Sequence, residues 1–168
     1  FFGCTSLPNF TIPSKMIYIY EGVFYGCSSL SSIVTHDNLR SFGLSVFYGC
    51  SSLPNFTITP KLTSISESLF KECTNLTSIE IHDNMRLIGK AAFQGCISLL
   101  HFKFPPKITS FSESVLYQCS SLLSIEIAWN VSSIGIKAFG NCSSLNFVFN
   151  DGKKYPSHIY NAFYCIFF

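Results

Sequence analysis

Apolar residues recur along this chain at a fixed interval, and polar residues fill the positions between them in the same order each time. Leu76-x-x-Ile79-x-Ile81 returns as Leu122-x-x-Ile125-x-Ile127, and with phenylalanine as Leu53-x-x-Phe56-x-Ile58 and Leu99-x-x-Phe102-x-Phe104. The last two apolar positions alternate with a polar one and are β-branched or aromatic, which predicts a short strand. Pro13, Pro60, Pro105 and Pro106 follow in alternate units, and a residue without an N–H ends a strand ladder. A second run, as in Thr63-Ser64-Ile65 or Ser132-Ser133-Ile134-Gly135, predicts a second short strand. Lys90-Ala91-Ala92-Phe93 then predicts a turn or single helical turn that carries the aromatic residue inward.

Cysteine sets the interval. Cys4, Cys27, Cys50, Cys73, Cys96, Cys119, Cys142 and Cys165 are the only cysteines, and neighbours are always 23 apart. Leucine stands three residues after each of the first seven, from Leu7 to Leu145. An aromatic stands three before most of them, as Phe1, Phe24, Phe47, Phe70, Phe93 and Phe139, with Leu116 and Ala162 as exceptions. A period of about 20 to 50 residues marks stacked units that bury a shared core. The fold expected is one mainly β repeat solenoid over residues 1–168, of about seven coils with parallel strands and short helical turns. At about 4.8 Å per coil its length would be about 34 Å. Asn146-Phe147-Val148-Phe149 falls out of step, so 143–168 is expected to be an irregular last repeat.

A two-coil period lies over the first. Leu53-Pro54-Asn55-Phe56-Thr57-Ile58 copies Leu7-Pro8-Asn9-Phe10-Thr11-Ile12, and His82-Asp83-Asn84 copies His36-Asp37-Asn38, both 46 residues apart. Eleven residues after the cysteine, odd coils carry Lys15, Lys61, Lys107 and Lys153, while even coils carry Asn38, Asn84 and Asn130. Glu21, Glu67 and Glu113 belong to odd coils only, and Gly43, Gly89 and Gly135 to even ones. Lysine and asparagine are therefore expected to alternate along one edge.

Composition narrows the function. Hydrophobic residues are 48% and charged residues 12% of the chain, enough for a core and too few charges for a disordered tail. The net charge is +2 with no basic run, so the sequence offers no stripe for neutralising nucleic-acid phosphates. No uncharged apolar stretch reaches the roughly 18 residues of a membrane-spanning helix, and the oily end at Phe163–Phe168 is far shorter. The first residues fall mid-repeat, which points to part of a longer array.

The pattern Leu-x-x-Ile-x-Ile followed by Ser-Ile-Gly-x-x-Ala-Phe-x-x-Cys, clearest from Leu122 to Cys142, resembles BspA-type leucine-rich repeats. The resemblance covers essentially the whole chain. It implies a curved right-handed leucine-rich-repeat superhelix, found on surface proteins of anaerobic bacteria and of protists such as trichomonads and Entamoeba. It also implies adhesion to host proteins or other cells, a cell-surface or secreted location, and no catalytic residues. Phenylalanine in place of isoleucine on several strands departs from the pattern.

Candidate chemistry is weighed against this periodicity. Eight cysteines suggest a disulfide framework. Stacked equivalent side chains point the same way, which makes the disulfide dihedral awkward and favours an inward ladder of thiols packed as small hydrophobes. Zinc ligands converge from short paired spacings, which the sequence lacks. His36-Asp37 and His82-Asp83 form repeated pairs at a turn position, whereas nucleophilic catalysis needs one singular constellation. Neither catalytic residues nor a cofactor or metal site are assigned. Sequons place possible N-glycans at Asn9, Asn55, Asn75, Asn130 and Asn141.

The outward residues of the first strands form the candidate binding face: Thr11, Ser31, Ser32, Thr57, Thr77, Ser78, Glu80, His101, Lys103, Ser124 and Glu126. The expected function is non-enzymatic recognition of a protein ligand, such as a host matrix or cell-surface protein, by this preformed sheet. An intracellular protein-interaction scaffold is the alternative. The row Lys15, Lys61, Lys107 is a second surface, read as ordinary solvation beside glutamates. Uncapped ends expose apolar surface, so the isolated chain is expected to be poorly soluble.

Overall fold

The computed structural model describes residues 1–149 except Trp129, and backbone alone for 146–149. Each coil contributes two short strands. The first strands are β1 (Asn9–Thr11), β3 (Ser32–Val34), β5 (Asn55–Thr57), β7 (Ser78–Glu80), β9 (His101–Lys103), β11 (Ser124–Ile127) and β13 (Asn146–Phe149). The second strands are β2 (Tyr18–Ile19), β4 (Ser41–Phe42), β6 (Ser64–Ile65), β8 (Leu87–Ile88), β10 (Ser110–Phe111) and β12 (Ser133–Ile134). Every pairing is parallel, and Phe10 opposite Ile33 or Phe56 opposite Ile79 gives the 23-residue offset. β13 departs, pairing Ser124 with Asn146, one residue short. The described residues hold fewer coils than the roughly seven expected: β2 to β12 is five complete turns, and the seventh coil is described only through β13. The rest of the expected irregular repeat 143–168 lies outside the described residues.

The core is a set of columns. Phe1, Phe24, Phe47, Phe70 and Phe93 stack nearly parallel, with centroids 5.4 to 5.6 Å apart. Strand phenylalanines meet this column edge-on, as Phe56 meets Phe70 at 4.9 Å and Phe102 meets Phe93 at 5.0 Å. Leu116 interrupts it, and Phe111 and Phe104 close on Phe139 instead. Offset and edge-on arrangements are those the ring quadrupole favours.

Cysteine forms the next column. Cys27 through Cys142 are buried and all seven described cysteines are free thiols. The expected inward ladder is present, with a function that the periodicity did not reveal. Each thiol from Cys27 to Cys142 donates to the carbonyl 26 residues earlier, as Cys50 to Phe24 at 3.2 Å and Cys73 to Phe47 at 3.1 Å. Cys96, Cys119 and Cys142 do the same toward Phe70, Phe93 and Leu116. Valine in that place would leave the second lone pair of a buried carbonyl unused. Burial pushes the Cys50 thiol up to about 12 and that of Cys142 to about 11, and raises Cys73, Cys96 and Cys119 well above the ordinary 9.0.

The expected helical turn is absent, and no helix occurs among the described residues. The reason is where the amides go. N–H groups of Gly22, Phe24 and Gly26 donate to Leu44, Val46 and Tyr48 of the next coil, while those of Tyr25 and Cys27 close four-residue turns onto Gly22 and Phe24. A helix would need them at the fourth residue back. Left-handed residues flank the segment, one five positions before each cysteine (Ser45, Ser68, Ala91) and one immediately before it (Gly26, Gly49, Glu72, Gly95). Glycine just before Cys4, Cys27, Cys50 and Cys96 was the sequence signal for this break.

The two-coil period has a structural meaning. Both strand faces are split into pairs, β1-β3, β5-β7 and β2-β4, β6-β8, β10-β12, so ladders join each odd coil to the following even one. Between an even coil and the next odd coil the first strands form no ladder until β11 meets β13. At the second-strand corner a column of carbonyls shows the cause. Ile19, Ile65 and Phe111 accept from the N–H of Gly43, Gly89 and Gly135. The equivalent carbonyls of Phe42 and Ile88 accept instead from the hydroxyls of Ser66 and Ser112, both at 2.5 Å. A Cβ on Gly89 would stand 2.6 Å from Glu67 N and 2.8 Å from Ser66 C, so only glycine permits that backbone approach. Lys61 and Lys107 bridge the same even-to-odd junctions by donating to Asn38 Oδ1 (3.2 Å) and Asn84 Oδ1 (2.7 Å). The alternating edge expected from the sequence is thus a row of bonded pairs.

Candidate binding face

Alternation along each first strand buries the middle apolar residue and turns its neighbours out. Thr11, Ser31, Ser32, Thr57, Thr77, Ser78, Glu80, His101, Lys103 and Glu126 are all exposed, and Ser124 is half-buried. The structure brings them to one side as expected, but not as an unbroken sheet. Pro54 has no N–H to offer coil two, and the equivalent Leu100 amide reaches Thr77 only at 3.4 Å. A shallow depression lined by Ser31, Ser32, Ile33, Thr35, Asn55, Phe56 and Thr57 opens between β3 and β5.

Polar groups on this side pair across odd-to-even junctions. Thr57 donates to Glu80 at 3.2 Å, His101 Nδ1 lies 2.9 Å from Ser124 Oγ, and Lys103 stands 3.7 Å from Glu126. Ser31 and Thr77 hydroxyls donate to the carbonyls of Pro8 and Pro54. The face therefore presents side chains already held in place, with a low ordering cost on binding.

The repeated histidines are turn locks. Nδ1 of His36 and of His82 accepts the N–H of Asn38 and Asn84, at 3.2 and 3.1 Å. With Nδ1 accepting, the proton of His82 sits on Nε2, which donates to Leu62 O at 2.8 Å. Among the sequons, Asn9, Asn55, Asn75 and Asn141 are exposed. The Asn130 and Asn141 amide nitrogens are engaged, with Pro106 O and Tyr117 Oη.

Six copies of the BspA type leucine rich repeat region match the chain, over residues 1–96 and 46–165. The chain belongs to the BspA-type leucine-rich repeat family. The sequence from Leu122 to Cys142 had pointed to the same family. Solved structures agree with this membership. The leucine-rich repeat protein of T. pallidum is similar with a TM-score of 0.80 and 26% identity, over 87% of this chain and 68% of that one. One from Bacteroides ovatus gives 0.73 and 26%, over 88% and 44%. A leucine rich cell surface protein of Faecalibacterium prausnitzii, at 0.51 and 20% over 97% and 63%, shares the fold. No curated protein matches the sequence. BspA-type and other leucine-rich repeats are in general protein-interaction modules.

Proposed function

We propose that this BspA-type chain is a non-enzymatic recognition module that binds a protein ligand at a cell surface through its first-strand face. One observation carries the reading: the outward residues of β1 to β11, all exposed but the half-buried Ser124, are preorganised by cross-strand bonds and repeated, so they suit an extended protein surface. The histidines of the repeated His-Asp pairs accept backbone amides at Nδ1, which favours binding over hydrolysis. The depression between β3 and β5 offers a seat for a ligand side chain. If the chain passes through a glycosylating compartment, Asn9, Asn55 and Asn75 accept glycans ahead of Asn130 and Asn141, and the first two would shield part of this face.

The test is binding of the purified chain to matrix proteins and to intact cells, compared with a Ser32→Arg/Ser78→Arg/Ser124→Arg variant. Loss of binding with unchanged thermal stability is expected. Equal binding by the variant overturns the face. The same face would serve an intracellular scaffold, and detection of the full-length product only inside cells would overturn the surface location.

A further inference from the structure

Four lysines away from the edge between first and second strands each have a partner. Lys90 pairs with Glu113 at 3.0 Å and Lys103 with Glu126 at 3.7 Å, while Lys71 and Lys137 lie over the rings of Tyr48 and Tyr117. The cations of that edge differ. Lys15, Arg40, Lys61, Arg86 and Lys107 come one from each of five consecutive coils, all exposed, and none has an anionic or aromatic partner among the described residues. Lys61 and Lys107 are held by the neutral amides of Asn38 and Asn84, which fix the amines without cancelling their charge. Only Asp37 and Asp83 bring carboxylates to these turns. The glutamates read as neighbours of the lysine row, Glu21, Glu67 and Glu113, instead follow the second strands, beside Gly43, Gly89 and Gly135. A chain with no basic run in sequence thus builds a basic line in space.

We infer that this edge binds a linear sulfated polysaccharide. Stacked coils step by about 4.8 Å, so the five cations span about 19 Å, in two staggered rows because Arg40 and Arg86 sit two positions further along the turn than the lysines. A polysaccharide that carries an anionic group on most rings matches that step. An extended acidic peptide returns side chains to one face only every 6.6 to 6.8 Å or about that, out of step with the coils. Single-stranded nucleic acid wants aromatic platforms between the cations. The turns 36–40, 59–63, 82–86 and 105–109 contain no Phe, Tyr or Trp. Charge density favours sulfate over carboxylate: a carboxylate-only chain such as hyaluronan carries a charge on every second ring, sparser than the one cation that each coil supplies.

The test measures binding of heparin, used as the sulfated probe, to the full chain and to two variants of equal charge loss. One is Arg40→Gln/Lys61→Gln/Arg86→Gln, and the other is Lys71→Gln/Lys90→Gln/Lys137→Gln. The edge variant should lose about tenfold or more in affinity and show a shallower salt dependence, while the control stays within about twofold. Should the edge variant fold poorly, Arg40→Gln/Arg86→Gln, which removes no side-chain hydrogen bond among the described residues, should still weaken binding several-fold, roughly in proportion to charge removed. Equal losses in edge and control variants, or no binding of heparin at all, overturn the inference. So does binding as tight to hyaluronan, to polyglutamate or to single-stranded DNA, each of which would name a different ligand class.

Discussion

The two kinds of junction between coils share a core and differ at the surface. From an odd coil to the next even one, ladders run along both strand faces, and Gly43, Gly89 and Gly135 let the backbones meet. From an even coil to the next odd one, at coils two to three and four to five, side chains do this work: Ser66 and Ser112 take the carbonyls, and Lys61 and Lys107 reach the asparagines. Beneath both, the phenylalanine column, the thiol column and the amides of Phe24, Phe47, Phe70 and Phe93 run without regard to junction type. The difference teaches that the aromatic and thiol columns keep a one-coil period, while the surface, and the alternation of Phe10, Phe56 and Phe102 with Ile33, Ile79 and Ile125 on the first strands, carries the two-coil one. It also places the depression of the binding face at an even-to-odd junction, where the ladder is missing.

The largest expected effect strikes both junctions at once. The buried thiols hold their protons to about 11 in Cys142 and about 12 in Cys50, against 9.0 when exposed. Above pH 9 the unfolded chain loses protons that the folded one keeps, so stability falls as pH rises from there toward 12. Urea midpoints measured across pH should hold level with respect to these groups up to about 9, then decline. A midpoint unchanged at pH 11 would break the picture of a dry thiol column.

Next come the rings. Phe47→Ala and Phe70→Ala should each cost about 3–5 kcal/mol, and by similar amounts, because the column is equally spaced across both junction types. A much cheaper loss at one of them would mean that the column does not carry an equal share at every coil. The smallest pair separates the surfaces. Gly89→Ala forces a Cβ against backbone and should cost about 1–3 kcal/mol, whereas Ser66→Ala loses one hydrogen bond worth about 1 kcal/mol. Denaturant titration of both variants checks this, and equal costs would erase the distinction between close and bridged junctions.

Much of this was legible in the chain. Two strands per coil, the inward thiols, the outward polar face and the alternation of Lys61 and Lys107 with Asn38 and Asn84 follow from residue identity at a fixed offset. The helical turn did not survive. Lys90-Ala91-Ala92-Phe93 has helical composition, yet its amides find better use on the next coil, and local propensity yields to that tertiary partner. The basic edge was half legible: Lys15, Lys61 and Lys107 stood out, but Arg40 and Arg86 sit two positions later in the other coils and join them only when the coils stack.

Sequence by itself determined the period, the family and the choice of which side chains face in, because burial of apolar residues repeats with the residues themselves. Tertiary structure alone decided which coils pair closely, what each thiol donates to and which cations go without a counter-charge. Those depend on distances between coils, and a hydrogen bond or an ion pair exists only once two separated segments have been brought within reach.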